Sequence, residues 1–290
     1  MQARLFHDKL PVANLGEGPY WHGSESRLYW VDISGKAIHR CDVNGKQHEI
    51  CNTPAMVGFA VPEENGQIIA GLEDGIYRVD FSTGTMENLA RPHQAHAHNR
   101  FNDGKCDRRG RLWAGTMNEL EHSKPFGALY RYDKTGLYER EKNVCISNGL
   151  GWSPDDKIMY YADTIGRVIW RYTYDIETGQ AGDRTVFAKF SGKSRPDGLC
   201  VDSQGRVFSA QWPGWSIEIF TPDGKQEGRI GLPVPQVSSC AFGGPQLKTL
   251  FITTAAKGLD KKQLHEAPLS GKIFIVEMDV PGLPETPFKG

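Results

Sequence analysis

Three oxygen-bearing side chains in this sequence could hold a metal ion together, although they lie far apart along the chain. Glu17, Asn148 and Asp197 each stand directly before a glycine. Two carboxylates and one carboxamide are hard oxygen donors, which suit calcium, magnesium or manganese better than copper or a thiolate zinc site. The adjacent glycine would let the backbone approach its neighbours closely. A fold that brought these side chains together would therefore create a binding site for one divalent cation.

The element that must position these residues is a repeated strand. A short apolar core recurs along the chain at separations of about 40 to 48 residues, which is the length of a four-stranded propeller blade. The six copies begin at Leu28, Ile68, Leu112, Met159, Val207 and Leu250. A second short strand and a turn such as Asn44-Gly45 follow each copy, which favours antiparallel hairpins. The pattern predicts an all-β, six-bladed β-propeller with four antiparallel strands per blade.

The candidate metal ligands occupy equivalent positions in their repeats, which we call a shared phase. Aligning the copies places equivalent pairs before the first strand of each blade, at Glu17-Gly18, Val57-Gly58, Asp103-Gly104, Asn148-Gly149, Asp197-Gly198 and Ser239-Cys240. First strands line the central channel of a propeller, so equivalent positions form a ring around its axis. An Asn-Gly or Asp-Gly pair alone is typical of a turn, but the hairpin turns of this chain fall after the second strand instead. The shared phase therefore favours a metal site on the axis.

The two ends of the chain are predicted to close the ring. Residues 3–6 form a strand-like segment before the first repeat, and we expect it to complete the blade built from the C-terminal residues. A loose N-terminal tail is the alternative. Residues 1–290 are predicted to form a single domain. No amphipathic pattern indicates a long helix, and only residues 119–124 are predicted to form a helical turn.

The charge and the cysteines of the chain argue against several kinds of partner. The formal net charge is −1, from 34 basic and 35 acidic residues, and lacks the basic excess that nucleic-acid binding requires. Six cysteines occur without a Cys-x-x-Cys pair, which predicts free thiols in a reducing compartment. No segment has the apolar length of a signal peptide or a membrane span. We expect a cytoplasmic monomer, without nucleic-acid or membrane partners, that binds a small and roughly neutral molecule.

Five motifs occur in the order typical of a known family. They are Leu15-Gly16-Glu17-Gly18-Pro19, Arg100-Phe101-Asn102-Asp103-Gly104-Lys105, Ala114-Gly115-Thr116-Met117, Ser147-Asn148-Gly149-Leu150 and Arg195-Pro196-Asp197-Gly198. On these motifs the chain resembles the gluconolactonase and regucalcin-like family of sugar lactonases, from about Glu17 to the last blade. The resemblance implies a six-bladed propeller that hydrolyses a sugar lactone, with one divalent ion bound by Glu17, Asn148 and Asp197. It leaves the metal open among calcium, zinc, manganese and magnesium, and it does not identify the sugar.

The same resemblance implies roles for further residues. Arg100 and Asn102 match positions that reach the substrate, with a surface salt bridge as the alternative for Arg100. An acidic residue after the Gly-Thr-Met motif contacts substrate in some relatives, which makes Glu119 or Glu121 a candidate. Asp103 could support the metal ligands, hold its own loop or lie near a second, weak cation site.

The mechanism suggested by this set is metal-assisted ester hydrolysis. In this hypothesis the ion polarises the lactone carbonyl, and Asp197 acts as the general base that takes a proton from the attacking water. Two other functions stay open. One is a non-catalytic propeller that binds a protein, and the other is a calcium-binding regulator that uses the same metal ligands.

Two further groups of residues each have two interpretations. His93, His96 and His98 have a spacing that could suggest zinc, but a loop over the channel mouth is the favoured interpretation. Trp212 and Trp215 could wall a pocket and stack on a sugar ring, or could pack between blades.

Overall fold

The computed structural model describes residues 2–93 and 96–290 and contains six four-stranded antiparallel sheets. Five sheets use four consecutive strands each, and the sixth takes its outermost strand from the N-terminus. The first strand of each blade contacts the first strands of both neighbouring blades, and the last blade contacts the first. The ring is therefore closed, and the predicted six-bladed β-propeller is confirmed.

The strands of the first three blades follow a short N-terminal strand, β1 (Arg4–Leu5). Blade 1 consists of β2 (Gly16–His22), β3 (Arg27–Asp32), β4 (Ala37–Asp42) and β5 (Glu49–Asn52). Blade 2 consists of β6 (Phe59–Pro62), β7 (Ile68–Gly71), β8 (Ile76–Val79) and β9 (Met86–Ala90). Blade 3 consists of β10 (Asn99–Cys106), β11 (Leu112–Asn118), β12 (Gly127–Asp133) and β13 (Gly136–Val144).

The other three blades complete the ring. Blade 4 consists of β14 (Ser147–Trp152), β15 (Ile158–Asp163), β16 (Val168–Asp175) and β17 (Gln180–Lys189). Blade 5 consists of β18 (Pro196–Val201), β19 (Val207–Gln211), β20 (Ser216–Phe220) and β21 (Gln226–Gly231). Blade 6 consists of β22 (Val237–Gly243), β23 (Thr249–Thr254), β24 (Phe274–Glu277) and β1, with a helix α1 (Lys261–Glu266) between β23 and β24.

The repeated apolar cores of the sequence are the second strands of the blades, so the short strand that follows each core is the third strand of its blade. β11 and β19 are buried at every residue, because a second strand has a partner strand on each side and a neighbouring blade against each face. β17, at the outer edge of blade 4, is instead exposed from Gly182 to Val186. The core lies between blades, as where Trp113 of blade 3 packs edge-on against Tyr174 of blade 4, in one cluster with Trp152. This packing fixes the inner strands around the axis.

The N-terminal strand joins the two ends of the chain. Arg4 and Leu5 pair antiparallel with Ile275 and Phe274 of β24, which confirms the predicted closure. Phe6 extends the pairing by a backbone hydrogen bond to Ile273, at 2.9 Å. Its ring also packs edge-on against Phe251, with 5.1 Å between centroids. Blade 6 thus depends on residues from both termini.

The C-terminal tail covers one end of the channel. After β24, Gly282 forms a bridge with Asp202 and Phe288 forms one with Glu63. Leu283, Pro284, Glu285 and Thr286 lie against residues near the ends of the inner strands, including Cys106, Trp152 and Val201. The candidate metal ligands lie near the beginnings of these strands, so the tail lies at the opposite end of the channel from them.

The position of the helical segment corrects the sequence prediction. Residues 119–124 contain bends and a turn rather than a helix, because the Asn118 carboxamide accepts hydrogen bonds from the backbone of Leu120 and Glu121. Within the described ranges, the helix is α1, where Asp260 and Gln263 form a reciprocal capping box. None of the six residues of α1 is buried, so its sequence carries no apolar periodicity.

No helix in residues 2–93 or 96–290 is long and apolar enough to span a membrane. All six cysteines are free and five of them are buried, as the sequence predicts.

Removing the Phe6 ring should weaken the closure of the ring. We expect Phe6→Ala to lower the free energy of unfolding by about 2 kcal/mol, since Phe6 is only partly buried. Phe6→Leu, which keeps most of the apolar contact, should lose less than half as much. The measurement is urea denaturation, with the exposed Val12→Ala as control. An alanine variant as stable as the wild type would show that this contact does not stabilise the closure.

Candidate active site

A cavity of about 320 Å³ opens at the end of the channel where the inner strands begin. Its walls are formed by Leu15, Glu17, Ile33, Arg100, Asn102, Met117, His122, Ile146, Asn148, Thr164, Ile165, Arg195, Asp197, Trp212, Gln236 and Lys257. The structure thus brings together the three proposed metal ligands and two of the proposed substrate-binding residues, although they come from four different blades.

Bulges in the inner strands place these residues. The pairing of first and second strands shifts register at Glu17, Asn148 and the Pro196–Leu199 segment, and equivalent shifts occur in β10 and β22. A bulge leaves one residue out of the ladder and re-aims side chains. Asn148-Gly149 and Asp197-Gly198 therefore lie inside strands, and the interpretation of these pairs as turns is wrong.

The glycine after Asn148 allows close contact between neighbouring inner strands. A Cβ atom on Gly149 would lie 2.6 Å from the backbone oxygen of Asp197, closer than real Cβ contacts permit. Any larger residue would push β14 and β18 apart. The glycine therefore sets how closely Asn148 and Asp197 can approach each other.

The two carboxylates at the axis are buried close to other negative charge. Glu17 is 5% exposed and Asp197 is 6% exposed. Burial raises the pKa of Glu17 well above its ordinary value, and the charges of Asp197 and Asp103 raise it further. Burial and the charge of Asp103 likewise raise the pKa of Asp197. This part of the channel is therefore a strongly favourable place for a cation.

Hydrogen bonds fix the orientation of the Asn148 carboxamide. The Thr164 hydroxyl donates to the Pro196 carbonyl at 2.8 Å, so its oxygen is left to accept from Asn148 Nδ2, also at 2.8 Å. Asn148 Oδ1 then accepts from Asn102 Nδ2 at 3.0 Å. An amide has one donor end and one acceptor end, so these partners determine where Asn148 Oδ1 lies.

Arg100 in turn orients Asn102. Its Nη1 donates to Asn102 Oδ1 at 2.7 Å, while Asn102 Nδ2 donates to the backbone oxygen of Ser147 at 2.8 Å. A guanidinium can only donate and a carbonyl can only accept. A chain of hydrogen bonds therefore runs from Arg100 through Asn102 to Asn148.

Glu119 is not among the residues that form the cavity wall, but it pairs with two cations that are. Its Oε2 accepts from Arg100 Nε at 2.6 Å, and its Oε1 accepts from Lys257 Nζ at 2.9 Å. Burial would raise the pKa of Glu119, but these ion pairs outweigh burial and lower it. Blades 3 and 6 are opposite in the ring, so the Glu119–Lys257 pair crosses the channel mouth. Glu121 is exposed and is absent from the cavity walls.

Asp103 lies next to the axis but not on the cavity wall. Its Oδ1 accepts from the backbone nitrogen of Gly104 at 2.7 Å, and it lines a small space further along the channel with Lys105. Desolvation raises the pKa of Asp103 although Lys105 opposes the rise. Lys105 is itself paired with Glu285 of the C-terminal tail at 2.9 Å. Asp103 thus adds negative charge behind the two axial carboxylates.

The histidines and tryptophans divide between the cavity and its surroundings. His96 stacks on Phe126 with 4.2 Å between ring centroids. In the described part of the chain, no group of three or more His, Cys, Asp or Glu side chains is arranged to hold a metal. The candidate metal ligands include two carboxylates, Glu17 and Asp197, and the third ligand is the amide of Asn148. Trp212 lines the cavity, whereas Trp215 is 45% exposed and lies outside it.

Sequence reasoning missed several residues of the cavity wall. Thr164 follows β15 and Lys257 follows β23, while Gln236 stands just before β22. An antiparallel second strand ends beside the start of the first strand, so residues directly after each repeated core reach the same rim. That position in the repeat is the signal that could have indicated Thr164 and Lys257. His122 lies in a connection whose length gives no such signal.

The fold and the site together define a class of protein: six-bladed propellers with carboxylate and amide side chains around a cavity at one mouth of the channel. The chain belongs to the SMP-30/gluconolactonase/LRE-like family, whose model matches residues 15–256. The family indicated by the five sequence motifs is therefore confirmed.

Individual relatives agree with this assignment over nearly the full chain. The chain is 35% identical over 281 residues to the putative sugar lactone lactonase YvrE of Bacillus subtilis, covering 96% of both proteins. It is 37% identical over 279 residues to the 6-deoxy-6-sulfogluconolactonase of Pseudomonas putida, covering 95% of both. The structure of regucalcin from Agrobacterium tumefaciens, a calcium-binding protein, matches with a TM-score of 0.94 at 26% identity, covering 99% of this chain and 97% of that one. Two of these relatives are named as lactonases, which are hydrolases that open cyclic esters.

The buried negative charges should destabilise the metal-free protein as pH rises. An unfolded aspartate ionises near pH 4, whereas the folded pKa of Asp197 is well above its ordinary value. The folded state therefore binds more protons, and stability falls from about pH 4 up through the folded pKa. Asp197→Asn should raise the melting temperature by about 3 °C or more at pH 7.5 and by much less at pH 4.5.

This prediction is measured by thermal unfolding in the presence of a chelator. The control is Asp8→Asn, whose side chain is 77% exposed and which should change little at either pH. If the Asp197→Asn variant is less stable than the wild type at pH 7.5, the charge repulsion inferred here is contradicted.

Proposed function

We propose that this protein hydrolyses a sugar lactone, an aldonolactone, to the sugar acid at one divalent metal ion held by Glu17, Asn148 and Asp197. The observation that carries the proposal is the pair of buried carboxylates at the axis, completed by an amide whose oxygen is held in place. The names of the relatives support lactone hydrolysis, and the cavity has the size of a small-molecule site.

The donor set fits a hard divalent cation. Glu17 and Asp197 contribute two buried negative charges, and each has a raised pKa because of burial and neighbouring carboxylates. Burying such charges without a counter-ion is costly. Oxygen donors of this kind accept calcium, magnesium, manganese or zinc. A bound ion would supply Lewis-acid polarisation of the lactone carbonyl and a positive charge facing the developing oxyanion.

The proton transfers are assigned to Asp197. Its carboxylate takes a proton from the attacking water while the water oxygen bonds to the lactone carbonyl carbon. The bond between that carbon and the ring oxygen then breaks, and Asp197 returns the proton to the departing oxygen. One water is consumed, and the products on one open chain are a hydroxyl and a carboxylic acid, which releases its remaining proton to solvent and becomes a carboxylate. In the metal-free protein, burial and the charge of Asp103 raise the pKa of Asp197, and a bound cation would oppose that rise.

Arg100 and Asn102 are proposed to hold the substrate. The hydrogen bonds of Arg100 within the described chain use Nε and Nη1, which leaves Nη2 to donate to a lactone oxygen. Glu119 keeps the guanidinium in place and is proposed to contact a sugar hydroxyl. Asp103 is proposed to support the metal ligands by its charge. Holding the ring in one orientation lets water approach the correct face of the carbonyl.

A calcium-binding regulator is the second candidate, because regucalcin, whose structure matches so closely, is described as a calcium-binding protein. It would use the same three ligands, and turnover distinguishes the two functions. We also propose that the protein works in the cytoplasm, which its free and mostly buried cysteines support, and that it works there as a monomer.

Loss of the metal or of Asp197 should abolish catalysis. Exhaustive chelation should remove lactonase activity on D-glucono-1,5-lactone and related aldonolactones, and manganese, zinc, calcium or magnesium should restore it. Asp197→Ala should lower kcat by about 1,000-fold or more, because both a ligand and the general base are lost. The measurement is acid release followed by a pH indicator.

The matched control is Asp223→Ala, a carboxylate in an exposed hairpin turn, which should keep wild-type kinetics. Full activity after chelation or in the Asp197→Ala variant would disprove the metal-dependent mechanism. Tight calcium binding without turnover of any aldonolactone would favour the regulator.

Thr164 should affect metal affinity without taking part in the chemistry. Thr164→Val removes the acceptor that orients the Asn148 carboxamide, and we expect the metal to bind about 10- to 100-fold more weakly. Activity at saturating metal should return close to the wild-type kcat. Thr164→Ser, which keeps the hydroxyl, should retain most of the affinity. Metal binding is measured by calorimetry and by the metal concentration needed to activate the enzyme. An unchanged binding curve in the valine variant would contradict the proposal that Thr164 orients Asn148 for metal binding.

A further inference from the structure

One wall of the cavity carries polar atoms that the proposed reaction at the axis does not use. Arg195 stands just before β18 in blade 5, while Gln236 and Lys257 flank β22 and β23 in blade 6. Backbone and side-chain hydrogen bonds tie this wall together. Trp212 N donates to the Arg195 carbonyl at 2.9 Å, and Gln236 Nε2 donates to the Lys257 carbonyl at 3.0 Å.

Arg195 differs from other arginines whose side chains are mostly shielded from water and that have a carboxylate partner. Arg131 Nε lacks a hydrogen bond within the described ranges, but it lies 3.1 Å from Asp133 Oδ2. Arg100, Arg111 and Arg206 each donate from Nε to a carboxylate, at 2.6 to 2.7 Å. The Nε of Arg195 is buried and has no hydrogen-bond partner among the described residues. No described carboxylate forms an ion pair with it, so its charge is uncompensated on the cavity wall. A buried N–H without an acceptor costs free energy, which an anionic ligand group would recover.

An unpartnered acceptor lies on the same wall. The Oε1 of Gln236 is buried and likewise lacks a hydrogen-bond partner within the described chain, although its Nε2 is held by Lys257. A ligand that satisfies both residues must offer an anionic acceptor to Arg195 and a hydroxyl donor to Gln236. A polyhydroxy chain that ends in an acidic group has both.

The charge of the cavity also favours an anion. The inference rests on the proposed function, in which a divalent ion offsets Glu17 and Asp197. Three cations, Arg100, Arg195 and Lys257, then face the single carboxylate of Glu119. The nearly neutral total charge of the chain suggested a neutral ligand, but the local charge around the cavity is positive.

The distance from the axis suits a single sugar unit. Arg195 precedes Asp197 by two residues, and two residues of extended chain span at most about 7 Å. The reacting carbonyl would lie at Asp197, so Arg195 can reach the far end of the same sugar. A guanidinium recognises carboxylate, phosphate and sulfonate groups through paired N–H donors.

We propose that the physiological substrate is an aldonolactone whose end remote from the lactone carbonyl carries an anionic group, and that Arg195 is the residue that selects for this group. Gln236 accepts a hydrogen bond from a neighbouring hydroxyl. Lys257 stays paired with Glu119 and adds favourable charge at the channel mouth.

The first test compares substrates that differ at one carbon. kcat/KM is measured for D-glucono-1,5-lactone and for the corresponding lactones that carry a carboxylate, a phosphate or a sulfonate at C6. We expect at least one anionic lactone to have a higher kcat/KM than the neutral lactone. The lactone with the highest kcat/KM identifies the acidic group that the protein prefers. Arg195→Gln should reduce this preference by about 10- to 100-fold, mainly through KM.

Two variants distinguish specific recognition of the anionic group by Arg195 from a general effect of positive charge near the cavity. Lys193→Gln removes an exposed positive charge from the same loop and should leave the preference unchanged. Arg195→Lys keeps the charge but not the paired donors, and should recover only part of the preference. The inference is overturned if the wild type prefers the neutral lactone, if Arg195→Gln reduces kcat/KM equally for neutral and anionic lactones, or if Lys193→Gln acts like Arg195→Gln.

A binding experiment distinguishes this inference from the lactonase proposal. Calorimetry compares D-gluconate with D-glucarate, which differ by the carboxylate at C6, on the metal-loaded wild type and on Arg195→Gln. If D-glucarate binds more tightly than D-gluconate and Arg195→Gln abolishes the difference, the anion site is supported. If the same protein hydrolyses no lactone, the lactonase proposal is refuted. Hydrolysis of neutral lactone with equal binding of the two acids would refute the anion site and sustain the lactonase.

Discussion

The burial of two like-charged carboxylates at the propeller axis is the constraint on which the rest of this structure depends. Glu17 and Asp197 lie almost out of contact with water, and Asp103 adds further negative charge behind them. Such an arrangement costs folding free energy. It is maintained because each carboxylate belongs to a different blade, and each blade is held by strand pairing and by apolar packing on both neighbours. A scaffold with this rigidity can hold charges that would otherwise move apart.

The architecture supports this centre from several directions. Bulges aim the side chains of the inner strands at the channel, and Gly149 lets two of these strands approach closely. The hydrogen bonds from Arg100 through Asn102 to Asn148 place a neutral oxygen beside the two charged groups. The two ends of the channel differ, because the C-terminal tail covers one of them. The cavity at the other end carries cations on its walls, so negative charge is concentrated at the axis and positive charge around it.

Much of the fold could be predicted from the sequence because it depends on local patterns. Apolar cores at a regular period predicted one strand of every blade, which the structure shows to be the second. The N-terminal strand followed from the need to close the ring. The helical turn expected at residues 119–124 was wrong, because the Asn118 side chain satisfies that backbone and a six-residue helix with no buried face leaves no periodicity. The shared phase of Glu17, Asn148 and Asp197 predicted correctly that they line one cavity. Asp103 has the same phase but is not on the cavity wall, so the phase alone does not decide which residues reach it.

The amino-acid sequence by itself thus determined the repeat, the number of blades and the residues that approach the axis. Only the tertiary structure decided that Glu119 rather than Glu121 pairs with Arg100, that Thr164 orients Asn148, and that Arg195 has no carboxylate partner among the residues that the structure describes. Glu119, Thr164 and Arg195 all lie in connections just outside the strands. Their geometry depends on how complete blades pack and where loops end. A periodic pattern predicts which face of a strand a residue occupies, but it does not predict which side chain from a distant part of the chain will contact that residue.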